Sequence, residues 1–265
     1  MSKITELQEI EILKLYQDGT SLRSLAVLYN IDRGVIKRRL IKYGVKLRTL
    51  SEANMIYSFD ESIFNKIDSH EKAYWLGFIS ADGNVYKNRL KIGLSVKDIN
   101  HLELFKRFLK SDHSVSLFYP KVNGKIYESC EFSVRSDKLI FDLLQLNVTP
   151  NKSKTLIPAN IDPQYFNSYI LGIIDGDGCF HLNKKGQMTC NVTGSLEIIN
   201  FIMNTLVKNC NITKTKIFEA KPGMNVYTCY LGGNNKVKKI VSFLYKDSPI
   251  FLKRKHDIIK HMFNG

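Results

Sequence analysis

The first fifty residues carry a helical rhythm. Leu7, Ile10, Leu13 and Tyr16 recur every three residues and mark one face of a helix, which Gly19 would end. Leu22, Leu25, Ala26 and Tyr29 follow i, i+3, i+4, i+7 and predict a second helix, capped by Thr20 or Ser21. Past Asn30 and Ile31, Asp32 can cap a third. There Ile36, Leu40 and Tyr43 face inward, while Lys37, Arg38 and Lys42 point away. Residues 49–67 show no clear period and read as a linker after an all-α domain over 1–48.

Beyond the linker the rhythm shifts to two. Ile92, Leu94 and Val96 alternate with Lys91, Gly93, Ser95 and Lys97, and Met188, Cys190 and Val192 alternate with Gln187, Thr189, Asn191 and Thr193. Such strands bury one face and leave the other polar. Helical runs follow, with Leu102, Phe105 and Leu109 in one place and Ile198, Phe201 and Ile202 in the other. Each precedes a second strand pair, with turns at Asn123-Gly124 and Lys221-Pro222-Gly223. In the first of these pairs Cys130, Phe132 and Val134 should be core, with Tyr127, Ser129, Glu131 and Ser133 outward.

The two stretches are copies. YWLGFISADG at 74–83 and YILGIIDGDG at 169–178 share an offset of 177 − 82 = 95 residues. Each opens as a helix, the first capped by Asp68 or Ser69, the second by Asp162 with Pro163 at its first position. The pattern predicts an α+β chain with two pseudo-symmetric α-β-β-α-β-β-α units, 68–161 and 162–265.

Charge narrows the partner. The 265 residues carry 39 Lys+Arg against 25 Asp+Glu, a formal +14, and ten of these bases with five of these acids lie in residues 1–50. That excess fits a polyanion. The longest apolar stretch, near Tyr169–Ile174, is too short to cross a bilayer, and the N-terminus lacks a signal-peptide core. A soluble, intracellular protein of cytoplasm, nucleoid or organelle matrix is expected, with no membrane partner. Cys130, Cys179, Cys190, Cys210 and Cys229 lack metal-site or disulfide spacing and read as buried thiols.

Three short helices with a tight second turn and a basic third helix read as a helix-turn-helix, placing Arg33, Lys37, Arg38 and Lys42 at phosphates or base edges. The segment DGTSLRSLAVLYNIDRGVIKRRLIKYGVKLR resembles the resolvase-type helix-turn-helix of mobile-element proteins. The polar sheet faces offer side chains suited to base edges in a major groove. They are Asn84, Tyr86, Arg89, Lys91, Ser95, Lys97, Tyr127, Ser129 and Glu131, and then His181, Gln187, Thr189, Asn191 and Thr193. Gly77 and Gly172, at matching positions, would let the two motif helices cross closely and bring their C-terminal ends together. Asp82 and Asp177 would sit there, against the negative pole of each helix and against each other. A divalent cation such as Mg²⁺ reverses both costs.

The paired motifs resemble those of a double-motif LAGLIDADG homing endonuclease, over about residues 68–265. The resemblance implies a monomer whose two halves form a DNA-binding saddle. It also implies Mg²⁺-dependent cleavage of both strands of a long, nearly asymmetric double-stranded site, with short 3′ overhangs, serving intron or mobile-element homing. Mn²⁺ or Ca²⁺ can stand in for binding. It makes Asp82 and Asp177 the metal-binding acids, with the carbonyls of Ala81 and Gly176 beside them. Basic residues near the cut phosphates pair as Lys152 with Lys253 and Lys154 with Lys255, of which Lys152 and Lys255 are favoured. Ser80 stands where the second copy has Asp175. Lys97 matches a position that helps order water, where the second copy has Thr193 or Gly194. A maturase acting on intron RNA and a non-cleaving DNA-binding regulator share this scaffold. An enzyme acting on small phosphates would need a Gly-rich phosphate loop, which is absent.

Overall fold

In the computed structural model residues 5–17, 20, 22–48, 58–220 and 222–260 are described. The chain divides into two compact units, residues 1–56 and 57–265.

The first unit holds three helices, α1 (Glu6–Gln17), α2 (Leu22–Tyr29) and α3 (Arg33–Lys42). Ile12, Tyr16, Leu25, Ile36 and Leu40 are buried together at its centre. Asp32 caps α3 as expected, its Oδ1 accepting from the Gly34 amide at 2.8 Å. The turn before it places Asn30 at φ 51°, and the Ile31 amide donates to the Ala26 carbonyl. Only part of the expected face of α1 turns inward: Tyr16 is buried and Leu13 packs against the same cluster. Leu7 and Ile10 are 81% and 63% exposed, whereas Glu9, Ile12 and Tyr16 are buried. The reason is polar. Glu9 sits under α3, paired with Arg39 at 3.0 Å and accepting from the Tyr43 hydroxyl at 2.5 Å, so Tyr43 stays half-exposed. Gly19 and Ser21 lie outside the described residues.

The second unit repeats one α-β-β-α-β-β-α order twice. Its first half runs α4 (His70–Asp82), β1 (Gly83–Tyr86), β2 (Arg89–Ser95), α5 (Ile99–Phe108), β3 (Ser116–Phe118), a small ribbon β4 (Lys121–Val122) and β5 (Lys125–Ile126), β6 (Ser129–Arg135) and α6 (Asp137–Gln145). The second half runs α7 (Phe166–Asp177), β7 (Gly178–Leu182), β8 (Met188–Gly194), α8 (Leu196–Cys210), β9 (Ile217–Glu219), β10 (Tyr227–Gly232), α9 (Asn234–Tyr245) and a closing helix α10 (Lys253–Ile259). The sheets are antiparallel, in orders β1-β2-β6-β3 and β7-β8-β10-β9.

Helices cover one sheet face, and the alternation reads true. Leu90, Ile92, Cys130, Phe132 and Val134 are buried in one sheet, Met188, Cys190 and Val192 in the other. Val96 departs from the expected strand and begins a 3₁₀ turn, Val96–Asp98. Ser69 caps α4 through its Oγ, while Asp162 and Pro163 start a 3₁₀ turn ahead of α7. The Asn123-Gly124 turn has φ values of 49° and 80°, both left-handed, as a two-residue hairpin turn requires. Of the other expected turn, Gly223 is also left-handed, and Lys221 lies outside the described residues.

Two expectations need correction. The stretch 58–67 is no free linker: Phe64 is buried, Ile63 nearly so, and Phe59 and Ile67 pack on the same core. The Ser58 amide also accepts a fixed place, donating to Asp112 Oδ1 at 2.8 Å. Residues 49–57 lie outside the described residues. Among the thiols, four are buried but Cys179 is exposed, because it occupies the open face of β7.

Candidate active site between the motif helices

Helices α4 and α7 cross back to back at their glycines. A Cβ on Gly77 would lie 2.0 Å from the Tyr169 carbonyl oxygen, and one on Gly172 would lie 2.1 Å from that of Tyr74. The contacts are reciprocal under the 95-residue offset, so the two halves meet about a local pseudo-twofold axis. Glycine costs about 1 kcal/mol relative to alanine inside a helix. Here the lost side chains let two backbones touch, which no other residue permits.

The crossing brings the helix ends together. A Cβ on Gly176 would meet Ala81 Cβ at 2.3 Å and the Asp82 carboxylate at 3.4 Å, one residue before Asp177. Burial first, then the Asp177 carboxylate, pushes the Asp82 pKa up to about 6 against the pull of Lys255 and Lys152. Burial also raises that of Asp177, against the same two lysines. The two acids thus share one site, where the Asp177 charge opposes the ionisation of Asp82. Among the described residues no third His, Cys, Asp or Glu joins them. A cation held here would therefore rely on two carboxylates, backbone carbonyls and outside oxygens, a hard-oxygen set suited to Mg²⁺, which usually keeps several waters.

Lys152 and Lys255 both come to this site. Each is 6% exposed. Lys152 Nζ donates to the Gly83 carbonyl, and Lys255 Nζ to that of Gly178 at 2.6 Å. Gly83 and Gly178 are 95 residues apart, so these lysines are structural equivalents. The sequence pairing of Lys152 with Lys253 and of Lys154 with Lys255 is therefore corrected. Lys154 is exposed, and Lys253 is 83% exposed and paired with Asp257 at 2.8 Å. Burial lowers both site lysines' pKa values, against the nearby acids.

Beneath the site lies a buried network that the pattern did not reveal. Tyr74 donates to Asp175 Oδ2 at 2.7 Å and contacts His101 Nε2 at 3.0 Å, and the Leu252 amide donates to the same Asp175 oxygen at 2.7 Å. Burial drives Asp175 up to about 7 and His101 down to about 4. In the first half Ser80 takes the equivalent place, donating back to the Leu76 carbonyl at 2.8 Å and hydrogen-bonded to the Tyr169 hydroxyl.

The sheet residues named from sequence fall on the faces away from the helices. Asn84, Tyr86, Ser95, Lys97, Tyr127, His181 and Gln187 are exposed, and Arg89, Lys91, Ser129, Glu131, Thr189, Asn191 and Thr193 are partly so. Register sets them side by side: Asn84 opposes Lys91, Ser95 opposes Ser129, and His181 opposes Thr189. Lys91 is tied to Glu131 at 2.9 Å. Lys97 and Tyr127 lie just off the strands, and Gln187 just before β8. Tyr230, 54% exposed and opposite Asn191, belongs to the same face. It escaped the sequence reading because β10 buries both Thr228 and Cys229 and so breaks strict alternation. In the other unit Arg33, Lys37, Arg38 and Lys42 are all exposed on α3.

No protein-family model matches the sequence. Solved structures do share the fold. The homing endonuclease I-WcaI, bound to its DNA recognition sequence, matches with a TM-score of 0.53 and 18% identity, over 72% of this chain and 87% of that one. The meganuclease I-SmaMI bound to uncleaveable DNA matches at 0.48 and 14% identity, over 72% and 89%. The LAGLIDADG homing endonuclease I-LtrWI bound to target DNA matches at 0.47 and 12%, over 77% and 90%. Among the described residues no helix is long and apolar enough to cross a membrane.

Proposed function

We propose that the chain is a site-specific DNA endonuclease of the LAGLIDADG type that cuts both strands of a long asymmetric target with short 3′ overhangs. The observation that carries this reading is the pair Asp82 and Asp177, brought to one place by the glycine crossing and flanked by two buried lysines. Asp82 and Asp177, with the Ala81 and Gly176 carbonyls, would hold Mg²⁺, which when bound stabilises the charge that develops on the cut phosphate. The shared fold with a DNA-bound homing endonuclease supports the same reading. No side chain is needed as a covalent nucleophile. The sheet faces, with Lys91, Asn84, Asn191 and Tyr230 among their side chains, read base edges. Helix α3 adds contacts through Arg33, Lys37, Arg38 and Lys42, as in a helix-turn-helix. The natural role is homing of an intron or other mobile element.

Asp82→Asn and Asp177→Asn each abolish double-strand cleavage while target binding survives, read by cleavage assay and gel shift on the same DNA. Full cutting by either variant would overturn the proposal, and full binding with no cutting by the native chain would make it a regulator. Replacing the four α3 bases by alanine lessens the salt dependence of binding by up to roughly 0.9 per lost phosphate contact in the log–log slope. An unchanged slope and footprint would remove the helix-turn-helix from the reading.

A further inference from the structure

The two site lysines are equivalent in place but not in bonding. Lys255 Nζ donates to four carbonyls at the end of α7: Ile174 at 2.8 Å, Asp175 at 2.6 Å, Gly176 at 3.2 Å and Gly178 at 2.6 Å. An ammonium has three N–H donors. Four acceptors within hydrogen-bond reach therefore use them all. Lys152 has one such partner among the described residues, the Gly83 carbonyl. Two of its donors remain for an outside acceptor.

Three of the carbonyls converging on Lys255 belong to the last turn of α7, its negative pole, and the fourth, Gly178, opens β7; the Ile174 carbonyl also accepts from the Gly178 amide. Four inward-facing oxygens there make a cation site, and the chain fills it with its own ammonium. Lys255 lies in the first turn of the short helix α10, where the Leu252 amide is fixed by Asp175 and Arg254 by Asp98 at 3.1 Å. These two anchors hold the lysine in place. The first-half lysine lies instead in a single 3₁₀ turn, Lys152–Lys154, and the Ser80 hydroxyl that replaces the Asp175 carboxylate carries no charge to anchor it.

We infer that Lys255 is a positioning residue, the built-in counter-cation of the second motif helix, and that Lys152 is the one lysine of the pair that contacts a phosphate at the cut. The last clause rests on the endonuclease reading; the first does not. It follows that the two strands meet unequal centres. On the Lys152 side a water oxygen bonds to phosphorus as the P–O3′ bond breaks, the 3′ oxygen takes up a proton, the water's proton passes to solvent, and the Lys152 ammonium keeps its own while pairing with the phosphate. The strand on that side is cut first.

Three measurements on the full chain test this. Without metal or DNA, Lys255→Met lowers the melting temperature by at least about 5 °C more than Lys152→Met does. If Lys255→Met does not fold, Lys255→Arg, which keeps charge and donors, folds. In chelator, on a duplex selected by the native chain from randomised DNA, Lys152→Met loses about 0.9 of the log–log salt slope and Lys255→Met does not. With Mg²⁺ on a supercoiled plasmid carrying that duplex, Lys152→Met slows the first nick at least about tenfold. Equal melting of the two methionine variants overturns the role of Lys255. An unchanged slope for Lys152→Met overturns the phosphate contact. No nicking by the native chain defeats the endonuclease reading alone, because melting still decides the role of Lys255.

Discussion

The two halves of the larger unit share one plan and one reciprocal glycine crossing, and differ at the ends of their motif helices. On the first half the motif helix ends in Ser80, Ala81 and Asp82, on the second in Asp175, Gly176 and Asp177. The first end has Ser80 as its buried polar side chain, hydrogen-bonded to the Leu76 carbonyl and to Tyr169. The second is tied by Tyr74, the Leu252 amide and Lys255 into a buried polar knot. Between β3 and β6 the first half adds the separate β4–β5 ribbon, with Tyr119 before it and Ile126 within it both exposed. A single chain can afford such divergence because each half only needs to fit the other.

The most severe way to break the pairing is to fill its glycines. Gly77→Ala or Gly172→Ala sets a methyl about 2 Å from a backbone carbonyl that cannot move alone. Either should cost on the order of 4 kcal/mol or more, read as a collapse of the denaturant midpoint. A milder break is Gly176→Ala, whose new methyl meets that of Ala81. A loss of about 1–3 kcal/mol is expected for such overpacking, and the exchange Ala81→Gly with Gly176→Ala should recover most of it. A double variant no more stable than the single one would show that the clash is not the cause.

The acids sharpen the comparison through pH. In the metal-free chain Asp82 is raised to about 6. An acid with a raised folded pKa binds its proton more tightly when folded, so the stability it adds is present at low pH and lost as pH rises from about 4 through about 6. Asp175, raised to about 7, and Asp177, also raised, act in the same sense, and buried His101, lowered to about 4, acts in the opposite one, so the whole-chain profile mixes them all. The difference between Asp82→Asn and the native chain isolates the acid. The variant should gain melting temperature over the native chain at pH 7.5 and gain little at pH 4. Equal gains at both would mean Asp82 feels no crowding. The smallest effect is expected from the ribbon: Lys121→Ala with Lys125→Ala should remove at most about 2 × 0.9 from the salt slope of DNA binding and leave stability unchanged.

These results mark how far a sequence carries. The alternating strands, the duplicated motif and the two aspartates were legible, because period and repetition are properties of the chain itself. Burial of Glu9 in place of Leu7 was not, since its cause is Arg39 and Tyr43 on another helix. The lysine pairing failed for a related reason. Lys152 lies 69 residues beyond Gly83 and Lys255 lies 77 beyond Gly178, so no constant offset joins them. Only the shared carbonyl acceptor reveals the match. The Tyr74–Asp175 bond spans 101 residues and joins the two copies, where no local pattern reaches.

The contact of Ala81 with Gly176 also sets a rule for rebuilding the molecule. A homodimer made from the first half alone would bring two methyls into the space that holds one. A homodimer of the second half would face glycine with glycine and close without a clash. An engineer seeking a palindromic version of this scaffold should therefore duplicate residues 162–260 and discard the half that carries Ala81.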